Sequence, residues 1–142
     1  MRIKHALAVT AAVGAVLGST VAAAPAAPAA PAANFTPDGC GDTSNGGQLC
    51  IRGGHVGTAG TYKFTVSYWN SAHPEDPEIT VGLGMEHYNE WTSKSVGVEF
   101  GHKKTQNGYA KLSKGVHIQA PECVRGVMTY KGKFYITKWV CP

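Results

Sequence analysis

The chain has 142 residues, thirteen basic and nine acidic side chains, a formal net charge of +4, and four cysteines. That length leaves room for one domain with a modest core. So small a charge makes no case for a nucleic-acid partner.

The first residues read as an address. Arg2 and Lys4 precede an apolar run of 12 residues over 6–17. A membrane-spanning helix needs about 20 residues to cross ~30 Å of hydrocarbon, so this run is a secretory leader and not an anchor. Residues 1–26 are assigned to the signal peptide, with cleavage somewhere in 24–32. Ala22-Ala23-Ala24 fits a small-x-small site but would leave Pro25 at the new terminus, whereas Ala24-Pro25-Ala26 avoids that. Residues 27–37 follow as an Ala/Pro-rich disordered arm, expected to be stiff and extended. No later segment is long and apolar enough to be a transmembrane segment. Residues 38–142 are expected to form a single disulfide-stabilised β domain.

Cys40, Cys50, Cys123 and Cys141 lie behind the leader, so an oxidising, extracellular destination and two disulfides are expected. Three connectivities are open. The local pairs, Cys40 with Cys50 and Cys123 with Cys141, are favoured. Each would contribute roughly 3 kcal/mol by loop-closure entropy. No Cys-x-x-Cys occurs, and neither a metal nor a cofactor is expected.

Period-two alternation dominates the rest. Residues 61–69 place Tyr62, Phe64, Val66 and Tyr68 on one face. Residues 78–86 do the same with Ile79, Val81, Leu83 and Met85. The other face carries Gly82 and Gly84, a shallow strip where a backbone or a bulky aromatic could pack closely. Residues 95–100 offer Val96, Val98 and Phe100, and residues 115–120 offer Val116, Ile118 and Ala120. Shorter candidates cover 48–52 and 109–112. Turns are expected at 37–39, 44–47, 73–77 and 106–108.

A closing hairpin is expected from strands at 124–130 and 134–140 around Lys131-Gly132-Lys133. With Gly132 at its centre, Cys123 falls opposite Cys141, at the separation a disulfide needs. The fold class is all-β: a small antiparallel β-sandwich or barrel with two disulfides.

Chemistry is sparse. No Gly-x-Ser-x-Gly elbow, free Cys–His pair or phosphate-cradling loop is present. The densest polar cluster, Glu86-His87-Tyr88-Asn89-Glu90-Trp91, is read as an exposed inter-strand loop; an enzyme using His87 is the minor alternative. Trp69, Tyr88, Trp91, Tyr109 and Tyr135 are candidates for an aromatic binding strip, with Tyr88 and Trp91 the most exposed. Charge is asymmetric. Residues 34–99 hold three basic and eight acidic side chains, while 100–142 hold eight basic and one acidic. Lys131, Lys133 and Lys138 on the closing hairpin are therefore candidate contacts for an anionic surface.

The layout resembles that of small secreted actinobacterial proteins, including the spore-associated protein family. The shared features are the Ala-rich leader, Gly39-Cys40-Gly41, the turn Gly57-Thr58-Ala59-Gly60-Thr61 and the closing hairpin bounded by Cys123 and Cys141. The central strands, 77–100, depart from that pattern. The resemblance implies an exported protein associated with a cell or spore surface, with no catalytic residues to carry over.

The expected function is thus a secreted, non-enzymatic β domain associated with the cell surface, a spore or an extracellular polymer. The anionic cell-wall or spore polymer is the first candidate partner. The alternative is a soluble binding or inhibitory module for an extracellular protein or sugar.

Overall fold

The computed structural model describes residues 38–70 and 78–142. The leader, the Ala/Pro arm and the expected turn at 73–77 lie outside the described residues. Eight strands follow: β1 (Asp38–Asp42), β2 (Gln48–Gly53), β3 (Gly60–Trp69), β4 (Thr80–Asn89), β5 (Lys94–Lys104), β6 (Tyr109–Ile118), β7 (Glu122–Tyr130) and β8 (Lys133–Ile136). They form two four-stranded antiparallel sheets, ordered β1-β2-β3-β6 and β5-β4-β7-β8. The fold is all-β as expected, and of the expected sandwich or barrel it has the two separate antiparallel sheets of the former.

Alternation explains the core. Phe64, Val66 and Tyr68 of β3 are fully buried, and Val81, Leu83 and Met85 of β4 face them from the other sheet. Leu49, Ile51, Ile118, Val124 and Met128 complete the interior. Burying a side chain of this size stabilises the fold by roughly 1.5–3 kcal/mol. Both disulfides have the local pairing, Cys40–Cys50 and Cys123–Cys141. Cys40 and Cys50 are direct cross-strand partners.

Several expectations change. Asp38 and Gly39, expected in a turn, instead begin β1, whose sequence Asp-Gly-Cys-Gly-Asp has no apolar alternation to betray a strand. Its glycines have another use. A β-carbon at Gly39 would lie 2.5 Å from Val140 Cγ2, and one at Gly41 would lie 3.3 Å from Thr137 Cα. The C-terminal segment therefore lies against β1, joining the two sheets along that side. The candidate strands at 109–112 and 115–120 are one strand, β6, ending at Ile118. Val96 is 49% exposed, because β5 is an edge strand whose first residues run past the core.

The closing hairpin is tighter than expected. Tyr130 pairs with Lys133 around a two-residue turn in which Lys131 (φ 48°) and Gly132 (φ 72°) both take the left-handed conformation. The pairing Val127–Ile136 follows from that turn, and in this register Cys141 would miss Cys123 by one residue. One extra residue repairs the mismatch. Thr137 N donates to Gly126 O, yet the next bridge joins Val124 to Val140, so Lys138 and Trp139 together oppose Arg125. The buried Thr137 hydroxyl holds this bulge, accepting from Gly126 N–H at 2.9 Å and donating to Lys138 O at 2.9 Å. Beyond it, β8 gives way to an isolated bridge, so the strand expected over 134–140 ends at Ile136.

Candidate functional site

The outer face of the second sheet is hollow. Cross-strand register places Gly97, Glu86 and Arg125 in one row, Glu99, Gly84, Val127 and Ile136 in the next, and His102, Gly82, Thr129 and Phe134 in the third. Every one of these residues lines an open cleft of about 740 Å³. Glycine makes the floor. At Gly84 the neighbours demand it: a β-carbon would lie 2.6 Å from the Val98 carbonyl oxygen, beside the irregularity in the β4–β5 register. At Gly97 nothing lies within 4 Å, so its missing side chain only keeps the cleft open. One wall is apolar and exposed, with Phe134 76% and Ile136 49% accessible on the short edge strand β8. Exposed apolar side chains grouped around a concavity mark interaction sites.

A charged pair closes one end. Arg125 Nε donates to Glu86 Oε2 at 2.7 Å, and its Nη2 lies 2.6 Å from the same oxygen. Ser95 Oγ donates to the other carboxylate oxygen. Burial pushes the Glu86 carboxyl upward, but hydrogen bonds from Ser95 and Arg125 and the Arg125 charge outweigh it and hold the group below its ordinary value. Trp139 covers the guanidinium, 4.2 Å from Arg125 Cζ to the ring centroid, and its ring meets Tyr88 at 5.9 Å. This stack exists because of the bulge at Thr137. Without the extra residue, alternation would turn Trp139 toward the core and Val140 outward.

The sequence-derived site residues are scattered relative to expectation. Glu86–Asn89 is not a loop but the end of β4, and only residues 90–93 form the turn. Tyr88 is half-buried against Trp139, while Trp91 in the turn is 78% exposed. The five aromatics make no single strip. Trp69 and Tyr109 are register partners on the other sheet, lining a separate shallow hollow with Gln48 and Arg52. Tyr135 packs on the core. Lys131 and Lys133 stand exposed at the hairpin tip beside Phe134, and Lys138 is exposed in the bulge. Among the described residues, no carboxylate pairs with any of these three lysines.

The Glu86–His87 cluster is pulled apart by the alternation of β4. Glu86 lines the cleft, whereas His87 Nδ1 lies 2.9 Å from Oε2 of the buried Glu122. The same oxygen accepts from Gln119 N–H at 3.0 Å. Glu122 thus ties β4 to the β6–β7 connection, satisfying groups that burial would otherwise leave unpaired. Glu90 approaches Cys123 and Cys141, but both sulfurs are committed to the disulfide.

Phe134, Ile136, Arg125, Gly97 and Trp139 are functional candidates that sequence reasoning missed. The Gly82/Gly84 strip was the one legible sign of the cleft. Comparison with family models, curated proteins and solved structures finds no match to this chain.

Proposed function

We propose that the protein is an extracellular, non-enzymatic binding module that holds a surface polymer or partner along the outer face of its second sheet. The observation that carries this reading is the glycine-floored cleft with an exposed apolar wall and an ordered charged pair at one end. A monomeric domain gains nothing by exposing Phe134 and Ile136 beside an open concavity unless something covers them. The leader, the two disulfides and the resemblance to secreted actinobacterial proteins support an extracellular setting. Among the described residues, no helix is long and apolar enough to cross a membrane. The exposed lysines at the hairpin tip, which meet no carboxylate among the described residues, support an anionic cell or spore surface as the place of attachment.

Gly97→Trp tests this reading, since nothing lies within 4 Å of a β-carbon placed there and the new ring would extend over the cleft. The secreted variant should keep its melting temperature and lose retention on cells or spores. Unchanged retention would move the binding site elsewhere.

A further inference from the structure

We infer that the outer face of the first sheet carries a second binding site, a trough that takes a neutral chain of β-linked pyranose sugars. It is separate from the cleft on the second sheet and does not rest on the reading above.

The trough follows from side-chain size along three rows. Cross-strand register sets Gln48, Trp69 and Tyr109 in one row, Cys50, Ser67 and Lys111 in the next, and Arg52, Thr65 and Ser113 in the third. The middle row is low where Cys50, tied to Cys40, sits beside Ser67. Longer side chains stand on either side. The result is a hollow of about 370 Å³, with Gln48, Trp69 and Tyr109 on one flank, Cys50 and Ser67 below, and Arg52 on the other flank. Gln48 and Arg52 are four residues apart on β2, ~14 Å at ~3.4 Å per residue. The walls take part of that width, so one sugar ring fits and a helix of about 10–12 Å does not.

Three properties of the lining select the ligand. First, both rings are free to stack. Trp69 is 49% and Tyr109 44% exposed, and neither meets another aromatic ring among the described residues. A pyranose whose substituents are all equatorial offers C–H groups on both faces, and such a face is desolvated against an aromatic ring. Second, the floor and flanks have hydrogen-bonding capacity to spare. Among the described residues, Ser67 Oγ and the Gln48 amide nitrogen make no hydrogen bond, and Asp38 engages Arg52 only through Nε, at 3.0 Å. Ring hydroxyls both donate and accept, which matches this mixed set.

Third, charge balances. Arg52 is the one charge in the lining and is paired with Asp38. Beyond the lining, Lys111 extends the floor row and Asp42 the aromatic row, one charge of each sign. A charged chain gains nothing from such a surface, whereas a neutral one meets a neutral trough.

The experiment titrates the secreted protein with cellohexaose and with polygalacturonate by calorimetry. Wild type should bind cellohexaose, with an affinity that salt leaves unchanged, and polygalacturonate at least roughly tenfold less well. Trp69→Ala should weaken cellohexaose binding by roughly tenfold or more, and Tyr109→Ala severalfold, as loss of an aromatic anchor does. Both side chains are exposed, so the melting temperatures should hold; if Trp69→Ala does not fold, Tyr109→Ala carries the test. Gly97→Trp, on the outer face of the other sheet, should bind cellohexaose as wild type does.

No binding of cellohexaose by wild type, or binding indifferent to both aromatic variants, would overturn the inference. Equal affinity for polygalacturonate, or an affinity for cellohexaose that falls as salt rises, would overturn its neutral component. Loss of cellohexaose binding in Gly97→Trp alone would place the sugar in the second sheet's cleft, sparing that reading and removing this one. Cell retention untouched by Gly97→Trp, with cellohexaose binding still lost in Trp69→Ala, would remove the cleft reading and leave this one standing.

Discussion

The two sheets share one core but present opposite surfaces to solvent. The outer face of the first is largely self-satisfied, apart from a shallow hollow beside the exposed Trp69 and Tyr109. Thr65 and Ser113 bond hydroxyl to hydroxyl at 2.8 Å, Thr61 meets His117, and Arg52 pairs with Asp38. The second is concave, floored by glycine, and leaves Phe134 and Ile136 uncovered. The same alternation rule produced both. What differs is what occupies the outward positions: hydroxyls that pair with one another along β3 and β6, with Trp69 and Tyr109 exposed only at their end, against glycines and exposed apolar side chains on β4, β5 and β8. Interior positions therefore report stability, and the contrast between the outer faces is what makes the second the candidate site.

The largest effects should ignore that contrast. Phe64→Ala in the first sheet and Leu83→Ala in the second should each cost ~2–5 kcal/mol in denaturant unfolding, because both leave cavities in the common core. A loss confined to one of the two would show that the sheets do not unfold as one unit.

Next come changes that separate structural from functional glycine. Gly84→Ala should cost ~1–3 kcal/mol, since its β-carbon would press on the Val98 carbonyl oxygen. Gly97→Ala should be neutral or stabilising by up to ~1 kcal/mol, since glycine weakens a strand interior and nothing there opposes a methyl group. Thermal melts of the pair decide the matter; equal losses would mean that Gly97 also has a packing role.

Thr137→Val should fall in the same range, ~1–3 kcal/mol, because it keeps the shape and strips Gly126 N–H and Lys138 C=O of their hydroxyl partner. A variant as stable as wild type would show that the bulge is held by the disulfide alone.

Smaller still is the acid dependence of Glu86. Its folded carboxyl titrates below its unfolded counterpart, so the unfolded chain binds the proton first. The resulting stability is fully present above the ordinary carboxylate range and is lost as pH falls through the lowered folded value. The Ser95 hydrogen bond is the first source of that lowering and Arg125 the second; Arg125→Gln should remove the Arg125 share and flatten the acid limb of a stability-against-pH curve by under ~1 kcal/mol. An unchanged limb would assign acid sensitivity to other carboxyls.

Least of all should Lys131→Gln with Lys133→Gln affect stability. Both side chains are exposed and, among the described residues, neither meets a carboxylate, Lys131 having only the Tyr130 ring 5.2 Å from its Nζ, so the melting temperature should stay nearly constant. Retention on cells at low salt should fall, and the difference from wild type should vanish as salt rises.

The interior was legible because burial imposes a strict period on β3 and β4. Phe64, Val66, Val81 and Leu83 could be placed without coordinates. The strand β1 was not legible, since its glycines serve an approach by residues almost one hundred positions away. The cleft was half legible. Gly82 and Gly84 announced an open strip on β4, but its walls come from β5, β7 and β8, whose order no local pattern encodes. Phe134 illustrates the difficulty. In sequence it is one more alternating aromatic on a hairpin, and only its place on an edge strand leaves it uncovered. Tyr88 errs in the opposite sense, because the partner that half-buries it, Trp139, reaches it through a bulge.

That bulge has a consequence for how the C-terminus can vary. Between Gly132 and Cys141 the chain behaves as a parity counter: inserting or deleting one residue exchanges inside for outside in everything that follows. Deleting Lys138 would send Trp139 inward, Val140 outward and Cys141 out of step with Cys123. Removing the charged pair's aromatic cover and the cross-link would thus be a single event. A change of two residues would keep each side chain on its face but would carry Cys141 two positions, about 7 Å, along the strand from Cys123. Any length change between Gly132 and Cys141 should therefore strain or break the Cys123–Cys141 bond, and an odd one should in addition turn Val140 out of the core.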